Sequence, residues 1–194
     1  MKQILNRIAN LIRSPQKEWE AIVAENFDMP TIRDGFFFPC LYFVLGVVFM
    51  AGLFRYDFNA DFRTADFLSY MGVRLLMAFS MVFAGVYIST IALGFLLSTK
   101  RFGGAKRDLL LCFKMVVYSS SILWALMLFH LLVPSLFFLP VLSIYVLYVV
   151  WCGLPILYPS MEETRRPIVS LIIWFFLSGC PMFFEKAMTA LINS

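Results

Sequence analysis

The sequence predicts an all-α integral membrane protein: five transmembrane helices preceded by an N-terminal pair of amphipathic, interfacial helices. Three observations predict it. The 194-residue chain is 61% hydrophobic and only 14% charged, with a mean hydropathy of +0.84. Soluble domains sit near half apolar with about a quarter charged, so much of this chain needs lipid as its solvent. Uncharged runs of spanning length recur along it. The first 34 residues, by contrast, are polar and charged, with no early apolar core of the kind a signal peptide carries. The chain thus divides into a segment 1–34, a membrane domain 35–185 and a short outside tail 186–194.

In the first segment, MKQILNRIANLIR spaces Ile4, Leu5, Ile8, Leu11 and Ile12 as a helical apolar stripe flanked by Lys2, Arg7 and Arg13. A basic amphipathic helix of this kind lies in the headgroup plane. In RSPQKEWEAIVAE, Ser14 suits an N-cap and Pro15 a first helical position, predicting a second helix. Glu18 and Glu20 favour the positive end of that helix. Trp19 and Ile22 share a face, to be buried against the membrane or the bundle.

A spanning helix needs about 20 apolar residues. The uncharged runs are 35–54, 75–99, 115–161 and 167–184, of 20, 25, 47 and 18 residues. The third is long enough for two helices, and Pro134 breaks it, because proline interrupts the backbone ladder and bars the preceding residue from helix. Five spans result: 36–54, 72–97, 109–132, 137–158 and 168–184. With the N-terminus inside, eleven bases lie inside (Lys2, Arg7, Arg13, Lys17, Arg33, Lys100, Arg101, Lys106, Arg107, Arg165, Arg166). Only Arg55, Arg63 and Lys186 lie outside. That bias predicts a cytoplasmic N-terminus and an outside C-terminus.

Polar residues inside the spans are the candidate functional groups. Lys114, near the inside end of the third span, has a stem long enough to carry its ammonium back to the headgroups. The alternative is that it faces the bundle and neutralises a substrate or partner carboxylate. Arg74 mirrors it at the outside end of the second span. Ser119, Ser120 and Ser121 cannot face one direction on a helix. They suit close helix packing, with Ser89 and Thr90 as partners, or else a solute path. His130 reads as an interfacial hydrogen-bonder. Gly153 and Pro155 are placed to end or kink the fourth helix. Asp57, Asp61 and Asp66 read as part of an outside interfacial loop, their spacing being too loose for a good calcium site.

At these residues the chain resembles a family. SPQKEWEAIVAE, with its proline, tryptophan and acidic helix, is similar to the opening of Yip1-domain membrane proteins. VVYSSSILWAL, with Tyr118, resembles the family's tyrosine-bearing third span. VLYVVWCGLPILYPSMEETRR resembles the end of its fourth, where a glycine and a proline precede a charged loop. The long cytosolic arm and the DLYGP-type motif of the eukaryotic trafficking members are absent, and no proline closely follows Tyr118. The resemblance therefore implies a short bacterial member in the cytoplasmic membrane, linked to membrane organisation rather than to a Rab GTPase.

The function classes narrow accordingly. There is no HExxH, GxSxG, P-loop or CxxC pattern, and Cys40, Cys112, Cys152 and Cys180 each lie in an apolar run. No catalytic, metal or cofactor-binding residue is predicted, and no cofactor. The net charge of +4, with its bases beside apolar runs, points to anionic lipid headgroups rather than nucleic acid. Lys100, Arg101, Lys106 and Arg107 are the candidate lipid contacts. Trp19, Arg74, Lys114, Tyr118, Ser119, Ser121, Gly153 and Pro155 are the other candidate site residues. The predicted function is a non-catalytic membrane protein acting through helix packing, lipids or partner proteins, possible homo-oligomers included. The alternative is a small oligomeric transporter or channel.

Overall fold

The computed structural model describes residues 2–55, 64–99, 108–133, 135 and 139–192. Among these, every regular element is helical. Helix α1 (Lys2–Arg13) and α2 (Pro15–Ala24) flank the single residue Ser14. Pro15 takes the first helical position as expected, but the Ser14 side chain makes no capping bond. Asn26, at φ 46°, turns the chain out of α2 in the left-handed region that asparagine tolerates.

Helix α3 (Met29–Ile32) runs through a π-helical turn at Arg33–Phe37 into α4 (Phe38–Arg55). Asp28 caps it by accepting from the Thr31 N–H at 3.1 Å. The π turn sits just before Pro39. A proline ring clashes with the carbonyl four residues back and has no N–H to give it, and one wider turn relieves both conflicts.

Then come α5 (Thr64–Ser98), α6 (Leu109–Leu132), a 3₁₀ turn at Leu139–Ser143, α7 (Ile144–Leu157) and α8 (Arg166–Ile192). Asp108 starts α6 by accepting from the N–H groups of Leu110 (2.9 Å) and Leu111 (3.1 Å). The bounds of α6 are those expected for the third span, 109–132. The second helix begins earlier than expected, at Thr64. The last begins at Arg166 and continues past residue 186 to Ile192. Three stretches, Met29–Phe54, Asp66–Ser98 and Leu109–Leu132, are long and apolar enough to cross a membrane; Val141–Leu157 is a shorter apolar helix.

Helix α6 is the axis of the bundle, with α1, α3, α4, α5, α7 and α8 all against it. Helix α5 packs on α4 and α8, and α7 lies between α8 and α2. Phe37 is fully buried and gathers Phe83, Tyr87, Phe113 and Trp124 around it, with ring centroids 5.9–6.4 Å apart. Such aromatic pairs add to the area they bury. The lipid-length helices leave Phe54, Phe95, Leu76 and Phe175 exposed on their outer faces, which suits a hydrocarbon solvent and not water.

Candidate functional site

The N-terminal helices do not lie apart from the bundle. They fold back and close one end of it, through side chains that a membrane-surface helix would otherwise leave free. Trp19 is fully buried, and its indole N–H donates to the Val149 carbonyl of α7 at 3.0 Å. A Cβ on Gly153 would stand 2.7 Å from that indole ring. Gly153 is therefore what lets α2 approach α7. Helix α7 ends at Leu157, two residues past Pro155 and just before Tyr158, where the sequence places its end. The Tyr145 hydroxyl of α7 donates to the Ile12 carbonyl at the end of α1, at 2.6 Å.

Arg7 is the ionic centre of this cap. Its Nη1 donates to Glu25 Oε2 at 2.6 Å and its Nη2 to Glu25 Oε1, a two-pronged pair. Its Nε lies 3.3 Å from Glu18 Oε1. Its Nη1 also reaches the Tyr118 hydroxyl at 3.4 Å, and its guanidinium sits 5.6 Å from the centre of the Tyr118 ring. The hydrogen bonds from Arg7 hold the Glu25 carboxyl below the usual glutamate range, and Glu25 in turn raises the Arg7 pKa. Tyr118 is wedged between Phe36, at 4.6 Å, and Trp19, edge-on at 6.2 Å.

Between α1, α2, the π turn and α6 lies a cavity of about 590 Å³. Its floor is buried: Ile4, Glu18, Ile32, Phe36 and Tyr118. Gln3, Asn6, Asn10 and Thr31 form an exposed polar rim. Ligand sites generally have this size and this mix of apolar wall and few polar groups.

The structure brings Trp19, Tyr118 and Gly153 of the predicted residues into one cluster, with Lys114 beside it. Lys114 is 3% exposed and close enough to Glu25 to help lower that carboxyl's pKa. It faces the bundle, not the open headgroup layer. The snorkelling expectation misses because it leaves out the cap, which covers this end of α6. Arg74 lies elsewhere, its guanidinium 4.7 Å above the Tyr70 ring of its own helix. Ser119 and Ser121 are buried, and the Ser121 hydroxyl donates to the Tyr118 carbonyl at 2.7 Å. The Ser89 hydroxyl donates to the Phe176 carbonyl of α8 at 3.4 Å and the Thr90 hydroxyl to the Val86 carbonyl of its own helix at 2.8 Å. Lys100, Arg101, Lys106 and Arg107 lie outside the described residues, as do Asp57 and Asp61.

Sequence reasoning missed Arg7, Glu18 and Glu25 as a unit. Two signals point to it. Arg7 falls between Ile4 and Leu11 at helical spacing, on the face that is buried. Glu25 stands at the C-cap of α2, where the helix dipole disfavours an acid, so a cation must be close.

A helical bundle of lipid-length helices, closed at one end by an amphipathic cap with a polar pocket, defines a polytopic membrane protein. The family model for the Yip1 domain matches residues 9–184, and the chain belongs to that family. No curated protein and no solved structure matches it significantly.

Proposed function

We propose that this Yip1-domain protein is non-catalytic and acts at its capped end, through lipid or partner contacts in membrane organisation. One observation carries the reading: the cavity opens on the cap, while the route deeper along α6 is filled. Every residue from Cys112 to Ile122 is buried in packing, and the hydroxyls of Thr90 and Ser121 bond to carbonyls of their own helices. That is a surface for holding something at the bilayer boundary rather than a conduit through it.

The proposal includes five crossings, with α7 and α8 as the fourth and fifth, in a bacterial inner membrane with the cap on the cytoplasmic side. The excess of basic residues on that side supports this orientation. It also includes contacts from Lys100, Arg101, Lys106 and Arg107 to anionic headgroups. The test is flux of ions and small solutes through liposomes holding the purified protein, beside a Lys114→Ala variant and empty vesicles. Flux at the level of empty vesicles is expected from both. Flux that rises with the protein and changes in Lys114→Ala would replace this reading with a transporter.

A further inference from the structure

The cap cavity has a chemical preference that its charges define. Its lining contains one base, Arg7, and two acids, Glu18 and Glu25. Both Arg7 Nη atoms donate to Glu25, one of them also to Tyr118, and Nε is ion-paired with Glu18 at 3.3 Å, which leaves Arg7 poorly placed to bind an incoming anion. Glu25 is satisfied on both oxygens by Arg7. Lys114 adds its charge behind Glu25 and does not line the cavity.

Glu18 is different. Its side chain is 10% exposed, and it lines the cavity. Among the described residues it has one ion pair, at 3.3 Å from Arg7 Nε, and its carboxylate accepts no hydrogen bond. A carboxylate covered to this degree, facing a cavity with a single ion pair, gains from further hydrogen-bond donors. What it lacks is donors, and a primary ammonium brings three of them.

We infer that the cavity binds a primary ammonium group, seated on Glu18 and carried by an aminophospholipid headgroup or by a free alkylamine. This rests on the reading of the capped end as a contact surface and names its ligand. A quaternary ammonium has no N–H for Glu18. Nor is the Tyr118 ring free to hold it by cation–π attraction, since Arg7 occupies it. The rim residues Gln3, Asn6, Asn10 and Thr31 supply uncharged donors to the phosphodiester that follows an ethanolamine. The apolar walls Ile4, Ile32 and Phe36 suit the start of an acyl glycerol or the alkyl stem of an amine.

Full-length protein is placed in vesicles of phosphatidylcholine with equal minor fractions of phosphatidylethanolamine and phosphatidylglycerol. The lipid retained after gentle detergent extraction is read by native mass spectrometry. A second arm adds free ethylamine as competitor. Two variants accompany the wild type. Glu18→Gln removes the charge. Gly35→Phe fills the cavity from a position where an added Cβ meets nothing within 4 Å, so it narrows the site even if Glu18→Gln folds poorly.

Phosphatidylethanolamine retained at least about tenfold over its share of the bilayer is expected, the equivalent of one hydrogen bond to a charged group. Both variants should remove that enrichment. Its displacement by millimolar ethylamine would identify a soluble amine as ligand, and resistance would identify the lipid; both outcomes support the ammonium site. Equal retention of choline and ethanolamine lipids, enrichment of phosphatidylglycerol, or enrichment that survives Gly35→Phe would overturn it. None of these touches the flux result, so the site and the non-conducting reading fail separately.

Discussion

The two ends of α6 are made from similar residues and have different surroundings. At the capped end, Cys112 to Ile122 are all buried, with a lysine and three serines among them. At the other end, Phe129, His130 and Leu132 are exposed. What separates them is coverage. The capped end has α1, α2 and α7 folded over or beside it, held by Trp19, Tyr145 and the Arg7 pairs. A lysine and three serines can sit deep in this apolar helix because protein, rather than lipid, surrounds that end. In hydrocarbon a polar side chain must find its partner inside the protein.

The sharpest way to break this contrast is to remove the cap's anchor. Trp19→Ala deletes a fully buried indole, and truncations of that size cost about 3–5 kcal/mol. It should release α1 and α2, seen as faster proteolysis within residues 1–28 and a lower melting temperature. His130→Ala, at the open end, should change either by less than about 0.5 kcal/mol, as ordinary surface substitutions do. Equal losses from both variants would mean that the cap does not distinguish the two ends.

Gly153→Ala comes next. The new methyl meets the Trp19 ring at 2.7 Å, and overpacking costs about 1–3 kcal/mol. The same proteolytic site should open, with less effect on melting. Trp19→Phe combined with Gly153→Ala should recover part of the loss, because the smaller ring leaves room.

A third, smaller effect belongs to the ion pair. Glu25→Gln should weaken α1 docking by roughly 1–2 kcal/mol, in the range for partly covered charged hydrogen bonds. Acid should do the same. The folded-state pKa of Glu25 is depressed by Arg7, so the pair's stabilisation is fully present above the ordinary glutamate range. It fades as the pH falls through the depressed value. Exposure of α1 should stay constant from neutral pH down to about pH 5 and rise below it in wild type, and should lose that step in Glu25→Gln. A step centred near neutral pH in wild type would sink the assignment to Glu25.

The smallest change is expected from Ser121→Ala. Its hydroxyl bonds only the backbone carbonyl three residues earlier in its own helix, a local bond that helices lose at little cost. Binding and melting should both stay within about 0.5 kcal/mol of wild type.

Much of the bundle was legible because lipid enforces a simple rule: about 20 residues without charge make a crossing. That rule, with Asp108 and Pro134 as its bounds, placed α6 to the residue, and Ser14-Pro15 marked the start of α2. It missed the early start of α5, whose first turns Thr64–Tyr70 include Asp66 and so fall outside an uncharged run. It could not foresee that Gly153 also makes room for Trp19, since the two are far apart in sequence. The cap pocket was legible only in part for the same reason. Trp19, Lys114 and Tyr118 stand out by type and by resemblance. Arg7 and Glu25 look like ordinary surface charges until tertiary contact brings them together.

The bond from Trp19 to Val149 spans 130 residues of chain, and that separation fixes an order of assembly. A ribosome delivers residue 19 long before residue 149 exists. During that interval α1 and α2 have no α6 or α7 to close over, yet their apolar faces need a home. The bilayer surface beside the translocon is the nearest one, and the exposed Leu5 and Ile12 still face outward as they would there. The helices made first therefore reach their final positions only after α6 and α7 exist, and the closed cap records that the chain has been made at least through α7.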